Sequence, residues 1–524
     1  MAIAGADARR TVPAWAATLM LAGLWLAIGP ATPDLAAQIH RAGLFATHGF
    51  AVWDNSWYDG HHIPGYSLVF PAVGSVLGVR AAGAAAAVLS AALFQSLVSG
   101  PRARAACWWF ALGCVADLLV GRLTYALGVT AGLAAVWALT RGGRPALAAA
   151  LAVVCAATSP VAGLFLALAG VGVALAEQRP RALSMTAAAL ATAVALSVAF
   201  PEGGTQPFTI AAFAETLGIS LLAAVVVARD PRLRPALLLY VAAVVACFLV
   251  ASPMGSNVTR LGSAFLAPLL LLAPLPASTT RRWLLIVTLV AAAAWQWVDP
   301  VTQAARGVGD QSTAAVYYRP LLEQLQRNDA GAGRVEVPFT RDHWETVYLA
   351  KHYALARGWE RQLDRRLNPL FYEPRLDPAA FHRWLRANAV RYVALPDAPI
   401  DPAGRLEAAL VATRPPFLHE VWRGAHWRLF RVRDPVPLAS GPARQVHLGA
   451  TGVRMRVTRP GRVLLRVHWT PYWQLGSGTG CVEPDGPWTV LLARHAGTFR
   501  LSTRFSVGRV LARSAACGPR STSS

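Results

Sequence analysis

Between residues 31 and 66 the sequence concentrates side chains that can handle a hydroxyl or an anion: Asp34, then Asp54, Asp59, His61 and His62 inside Trp53-Asp-Asn-Ser-Trp57-Tyr-Asp59-Gly-His61-His62. A positioned carboxylate can take a proton from an attacking hydroxyl. Asp34 opens this stretch, and Thr32-Pro33-Asp34 also reads as a helix start, with proline at the first helical position and an acid favoured by the helix dipole. Both readings stay open from the residues alone. Residues 33–47 have helical periodicity, with Leu35, Ile39, Ala42 and Ala46 on one face and Asp34, Gln38 and Arg41 on another. Such a helix is expected to lie along a membrane surface with its polar face toward a cavity. Asp59 with His61 and His62 offers donors for a divalent metal, but adjacent loop histidines seldom ligate one ion together. No metal and no cofactor is expected.

Further along, Asp117 sits near the end of an apolar run and Arg122 follows it after Gly121. An ionisable group at such a place is costly and usually faces a cavity or a partner. Arg122 reads either as a phosphate holder or as half of a structural ion pair with Asp117. Arg260, after Asn257-Val-Thr, is a second cation in the same expected layer or an ordinary interface arginine. Arg341-Asp-His-Trp-Glu345 reads as a solvated helix start.

The elements that carry these groups divide the chain in two. Of the 524 residues 55% are hydrophobic and only 15% charged, and the charges become frequent only after Asp299. Soluble chains carry about 25%, so the first part is built for lipid and the second for water. The net charge of +22 is almost all arginine, Lys351 being the only lysine. That bias fits a GC-rich genome, and no basic stripe with interleaved aromatics points to nucleic acid. Twelve apolar stretches can be marked before residue 299. Basic junctions at Arg9–Arg10, Arg102–Arg104, Arg141–Arg144, Arg179–Arg181, Arg229–Arg234 and Arg281–Arg282 mark cytoplasmic ends. An inside N-terminus with an outside C-terminal part needs an odd number of crossings. About 11 transmembrane helices are therefore expected, with one of the stretches in 64–99 re-entrant or the whole a single broken span. The expected organisation is a multi-span α-helical membrane bundle over 1–298, with its first outer loop at 31–63. An extracytoplasmic α/β domain over 299–435 and a β-sandwich-like domain over 436–524 with a disordered tail follow. Cys107, Cys114, Cys155 and Cys247 fall in apolar segments, leaving Cys481 and Cys517 as the natural disulfide pair if the soluble part meets an oxidising compartment.

This arrangement resembles the GT-C superfamily of membrane glycosyltransferases: a first span, an acid at the start of the first outer loop, a surface helix, a multi-span bundle and a C-terminal outer domain. The segments VRYVALPD (390–397), WRLFRV (427–432) and HWTPYW (468–473) look like the outer domain of its YfhO-type branch. The resemblance covers the whole chain at the level of architecture and weak motifs. It implies transfer of a sugar from a polyprenyl-phosphate donor to an envelope glycan or lipid acceptor at the cell membrane. Asp34 matches the position of the base, Arg122 and Arg260 would hold the lipid phosphate, and Asp59, His61 and Asp117 would line the sugar pocket. The family often has a second acid beside the first; here Leu35 and Ala36 follow Asp34, and Asp54 and Asp59 come later. The alternatives are a non-catalytic membrane scaffold that binds glycan or protein, favoured by that missing acid, and a lipid-linked glycan transporter or flippase. The transporter reading lacks the two-half repeat that many transporters carry.

Overall fold

A computed structural model describes residues 12–177, 180–328, 330–512 and 517. Arg9, Arg10, Arg179 and the tail from Arg520 lie outside the described residues.

The first part is helical. In chain order come α1 (Ala14–Ile28), α2 (Pro33–His48), α3 (Phe70–Leu77), α4 (Val79–Leu97), α5 (Ala103–Val120), α6 (Leu123–Thr140) and α7 (Pro145–Thr158). They are followed by α8 (Pro160–Glu177), α9 (Ala182–Ala199), α10 (Ile210–Val226), α11 (Leu233–Leu249), α12 (Thr259–Leu272) and α13 (Thr279–Gly307). Five of these (α4, α5, α6, α9 and α13) are long and apolar enough to cross a membrane, or six if α1 and α2, bent by 79°, count as one broken span. Helices α7, α8, α10 and α11 are apolar but shorter. The stretch 64–99 divides at Gly78, where φ of 84° ends the eight-residue α3 before α4 begins. The boundary expected at Asp299 falls inside α13, which continues to Gly307. The onset of charge changes the solvent a helix suits, and does not by itself end the helix.

Two short strands, β1 (Trp53–Asp54) and β2 (His61–His62), pair antiparallel within the α2–α3 loop. The turn between them has positive φ at Tyr58 (55°), Asp59 (59°) and Gly60 (107°). After α13 a mixed sheet in the order β3-β4-β6-β5 is built from β3 (Arg334–Glu336), β4 (Val390–Pro396), β5 (Leu418–Arg423) and β6 (Trp427–Val432), with helices between the strands. Strands β3 and β4 run parallel and the other pairs antiparallel. Two further four-stranded sheets follow, drawn from β7 (Ala439–Ser440), β8 (Ala443–Gly449), β9 (Gly452–Val457), β10 (Gly461–His468), β11 (Trp473–Ser477), β12 (Gly480–Asp485), β13 (Trp488–Ala493) and β14 (Gly497–Thr503). Their orders are β12-β13-β10-β7 and β11-β14-β9-β8. Alternate residues such as Val453 and Met455, Val463 and Leu465, and Phe499 and Leu501 point into one shared core, so the sheets form a sandwich. Cys481 and Cys517 are joined by a disulfide.

The cores do not stop at the boundaries between these parts. Trp25, Leu35, Trp57 and Leu118 share one hydrophobic cluster with Tyr318, Leu321, Val335 and Leu363. Val52, Trp53, Leu196 and Phe200 join the sandwich core. The α2–α3 loop is thus the wedge on which three units meet. It is held by backbone and side-chain bonds to both later units: Leu355 N–H to Ser56 O (2.8 Å), His468 N–H to Asp59 O (2.7 Å) and Asn55 Nδ2 to Gly449 O (2.9 Å). The segment expected as a solvated helix start is instead buried. His343 is fully enclosed, stacked on Trp359 at 3.5 Å and set between Glu345 (3.6 Å) and Asp401 (3.5 Å).

Candidate functional site

The first turn of α2 is built for close approach to the α5–α6 turn. Gly29 ends α1 in the left-handed region, its N–H bonded to Trp25 O at 2.9 Å. Pro33 then starts α2 with Thr32 as an extended N-cap. At the other side Gly121 (φ 81°) closes α5. A Cβ there would stand 2.5 Å from Thr32 Oγ1 and 2.9 Å from Leu35 N, so only glycine lets the two backbones meet. Gln38 locks the contact: its Nε2 donates to Gly121 O, and its Oε1 accepts from Thr124 N (2.9 Å) and Thr124 Oγ1 (3.1 Å). Arg122 lies between these two anchors.

The consequence is that Arg122 Nε stands 3.8 Å from Asp34 Oδ2, with both side chains partly exposed (24% and 31%). Asp34 is the acid of the first turn of α2, where the N-cap Thr32 makes no side-chain cap bond, and Arg122 is its ion-pair partner among the described residues. Arg260, in the first turn of α12, stands over the Tyr125 ring at 5.6 Å and lies within the electrostatic reach of Asp34, Arg122 and Tyr66. Asp117 lies within that of Arg122, Arg260 and Asp34. It is not within ion-pair distance of Arg122, whose partner is Asp34. Four of the residues marked in the sequence, Asp34, Asp117, Arg122 and Arg260, therefore form one group with two carboxylates and two guanidinium ions. In chemical terms Asp34 can take up a hydroxyl proton and each guanidinium can pair with an anionic oxygen.

Asp59 and His61 belong to different contacts. Asp59 is buried against Arg334 Nε at 2.7 Å, a pair that closes the loop onto β3. Burial lifts its carboxyl to about 7, the Arg334 charge opposing the rise. His61 is enclosed, stacked on Trp57 at 5.7 Å, and burial holds its imidazole below the ordinary range. His62 turns the other way, to Glu202 Oε1 (2.7 Å) and Thr470 Oγ1 (3.0 Å). Among the described residues no group of three His, Cys, Asp or Glu side chains is arranged to hold a metal ion.

The polar face of α2 does not line open space along its length. Gln38 and Arg41 are both buried. Arg41 Nη2 bonds Glu360 Oε2 at 2.6 Å, and its guanidinium lies over Tyr66 at 3.9 Å and Trp57 at 5.5 Å. Glu360 and Glu202 were not visible as site neighbours in the sequence, since they stand 319 and 140 residues from their partners.

No protein-family model matches the chain, and no curated protein matches it. Among solved structures it is similar to the arabinofuranosyltransferase AftD from Mycobacteria, with 14% identity, a TM-score of 0.44, and coverage of 94% of this chain. The chain spans 57% of that protein's length.

Proposed function

We propose that this protein is a GT-C-like membrane glycosyltransferase that uses a polyprenyl-phosphate sugar. Its helical bundle lies in the cell membrane, and its α/β unit (299–435) and sandwich (436–524) lie outside the cytoplasm. The observation that carries the reading is the Asp34–Arg122 pair: a partly exposed carboxylate in the first turn of α2, 3.8 Å from a guanidinium at the turn between two long apolar helices. In the reaction the acceptor hydroxyl oxygen bonds to the anomeric carbon and its proton passes to Asp34. The bond from the anomeric carbon to the phosphate oxygen breaks, and polyprenyl phosphate leaves as an anion between Arg122 and Arg260. Asp117, at the same mouth, would orient the sugar. Membrane lipid, the donor and a glycan acceptor are the partners of this reading. The segments VRYVALPD and WRLFRV form the adjacent antiparallel strands β4 and β6.

The test is transfer from radiolabelled polyprenyl-phosphate sugars by the purified full chain, together with the lipid-linked sugar and glycan profile of cells lacking it. Asp34→Asn is expected to lower the rate by about 10²–10⁴. Full restoration of a lost glycan by Asp34→Asn removes the base assignment and favours the scaffold reading.

A further inference from the structure

A second site lies where the end of α9 meets the sandwich and the loop after α9. It is a cleft of about 350 Å³, within the ~300–1,000 Å³ range of small-molecule sites. Asp34, Asp117, Arg122 and Arg260 do not line it. Its wall is aromatic: Trp469 is half-buried with its indole N–H unpaired among the described residues, and Tyr472 is fixed behind it by a bond from its hydroxyl to Ala199 O (2.6 Å).

Two polar groups of the cleft, Glu202 and His468, are held by bonds that leave one polar atom of each unpaired among the described residues. Glu202 Oε1 is engaged by the His62 backbone N–H and by His62 Nδ1, while Oε2 accepts nothing from the described residues. Burial opposes ionisation of Glu202, but His62 holds the carboxyl below its ordinary range, so it is present as an acceptor. His468 Nδ1 bonds Gly60 O at 3.2 Å, a contact that needs Nδ1 protonated and leaves Nε2 as an acceptor. Burial keeps that imidazole neutral, down to about 4. Arg366, exposed at the rim, forms no ion pair among the described residues.

This set discriminates between ligands. One cation beside a carboxylate is a poor phosphate site, and an acyl chain laid on the mostly apolar wall would leave Glu202, His468 and Arg366 without polar partners. Acceptors at Glu202 and His468, donors at Arg366 and the Trp469 indole, and an apolar ring face suit a molecule with many hydroxyls and an apolar C–H face. We propose that the cleft formed by Trp469, Glu202, His468 and Arg366 is a binding site for a neutral oligosaccharide. The site does not depend on transfer chemistry at Asp34, and a scaffold would use it equally.

The experiment uses the full chain in nanodiscs, with saturation-transfer NMR and calorimetric titration against neutral xylo-, arabino-, manno- and gluco-oligosaccharides, and inorganic phosphate as the anionic control. Saturable binding of at least one oligosaccharide and none of phosphate is expected. Trp469→Ala and Arg366→Ala are each expected to weaken it by about tenfold or more. Arg366 is exposed, so its variant keeps the fold even if Trp469→Ala does not. Asp34→Asn, which stops transfer on the reading above, keeps full saccharide binding, so the two ideas fail separately. The proposal is overturned if no saccharide in the set binds, if phosphate alone binds, or if Arg366→Ala binds the saccharide as tightly as the unchanged chain.

Discussion

Gln38→Leu isolates the positioning of Arg122 from its chemistry. The substitution keeps volume and removes an amide that ties α2 to the α5–α6 turn at Gly121 and Thr124. Gly121 O retains a second donor, Leu123 N–H at 2.9 Å, so it stays satisfied. The Thr124 N–H opens α6 and loses its acceptor in a buried place. One orphaned buried donor costs about 1–3 kcal/mol, and the lost net value of the other bonds adds about 1 kcal/mol. The expected destabilisation is therefore about 2–4 kcal/mol, concentrated where Arg122 is held. A displacement of about 1 Å at a reacting group can cost about 10²-fold in rate, so transfer should fall by about that factor while donor binding falls less. Melting of the detergent-solubilised chain and the radiolabel transfer assay read the two effects. Gln38→Glu, which keeps the acceptor for Thr124, should recover part of both. A Gln38→Leu chain that melts lower yet transfers at the original rate would refute the idea that this clamp sets the Asp34–Arg122 geometry.

Arg357 is buried among Asp364 (2.7 Å), Glu407 (2.9 Å) and the rings of Phe339 and Phe371 (3.9 and 3.8 Å), so Arg357→Leu strands buried carboxylates and should cost about 3–5 kcal/mol; proteolysis within residues 330–435 reads the loss. Burial works against the Asp54 carboxyl, but His40 at 2.7 Å and the Ser56 N–H hold it at about 2. Because that value lies below the ordinary one, its stabilisation of about 2 kcal/mol is present above about pH 4 and is lost as pH falls through about 2. Asp54→Asn should flatten this acid limb, as melting against pH would show. The disulfide closes a separation of 36 residues, which corresponds to about 4 kcal/mol of unfolded-chain entropy. Cys517→Ser should therefore lower the melting temperature of the sandwich and release the helix at Val507–Ala512 to protease.

Local pattern made the helices legible. The 3.6-residue period and the Thr-Pro-Asp start place α2 at Pro33–His48 against an expectation of 33–47. The approach of Asp34, Arg122 and Arg260 could be anticipated because all three sit at helix ends, where depth in the bundle follows from counting residues. Partner choice could not. Sequence proximity suggested Asp117 for Arg122, whereas the close contact of α2 with Gly121 supplies Asp34. Asp59 and His61 looked like pocket groups because of their chemistry. A hairpin pairing Trp53 with His62 and Asp54 with His61 instead turns Asp59 toward Arg334 and encloses His61. The Tyr58-Asp59-Gly60 turn was the available signal. Trp469 lies in the marked HWTPYW segment, but Glu202 and Arg366 carry no local mark, since their cleft exists only once α9, the loop after it and β10 have come together.

The unbroken course of α13 sets a mechanical relation between the two halves. At 1.5 Å per residue its 29 residues span about 43 Å, against about 30 Å for a hydrocarbon layer. Placed across such a layer, it would overhang by about 13 Å, with Pro300 inside the overhanging end and Gly309 (φ 79°) just past it, before the mixed sheet begins at Arg334. A tilt of α13 would reach the sheet only through that connection, whereas the wedge loop, tied to β3 by the Asp59–Arg334 pair, links the sheet directly to the mouth of the bundle.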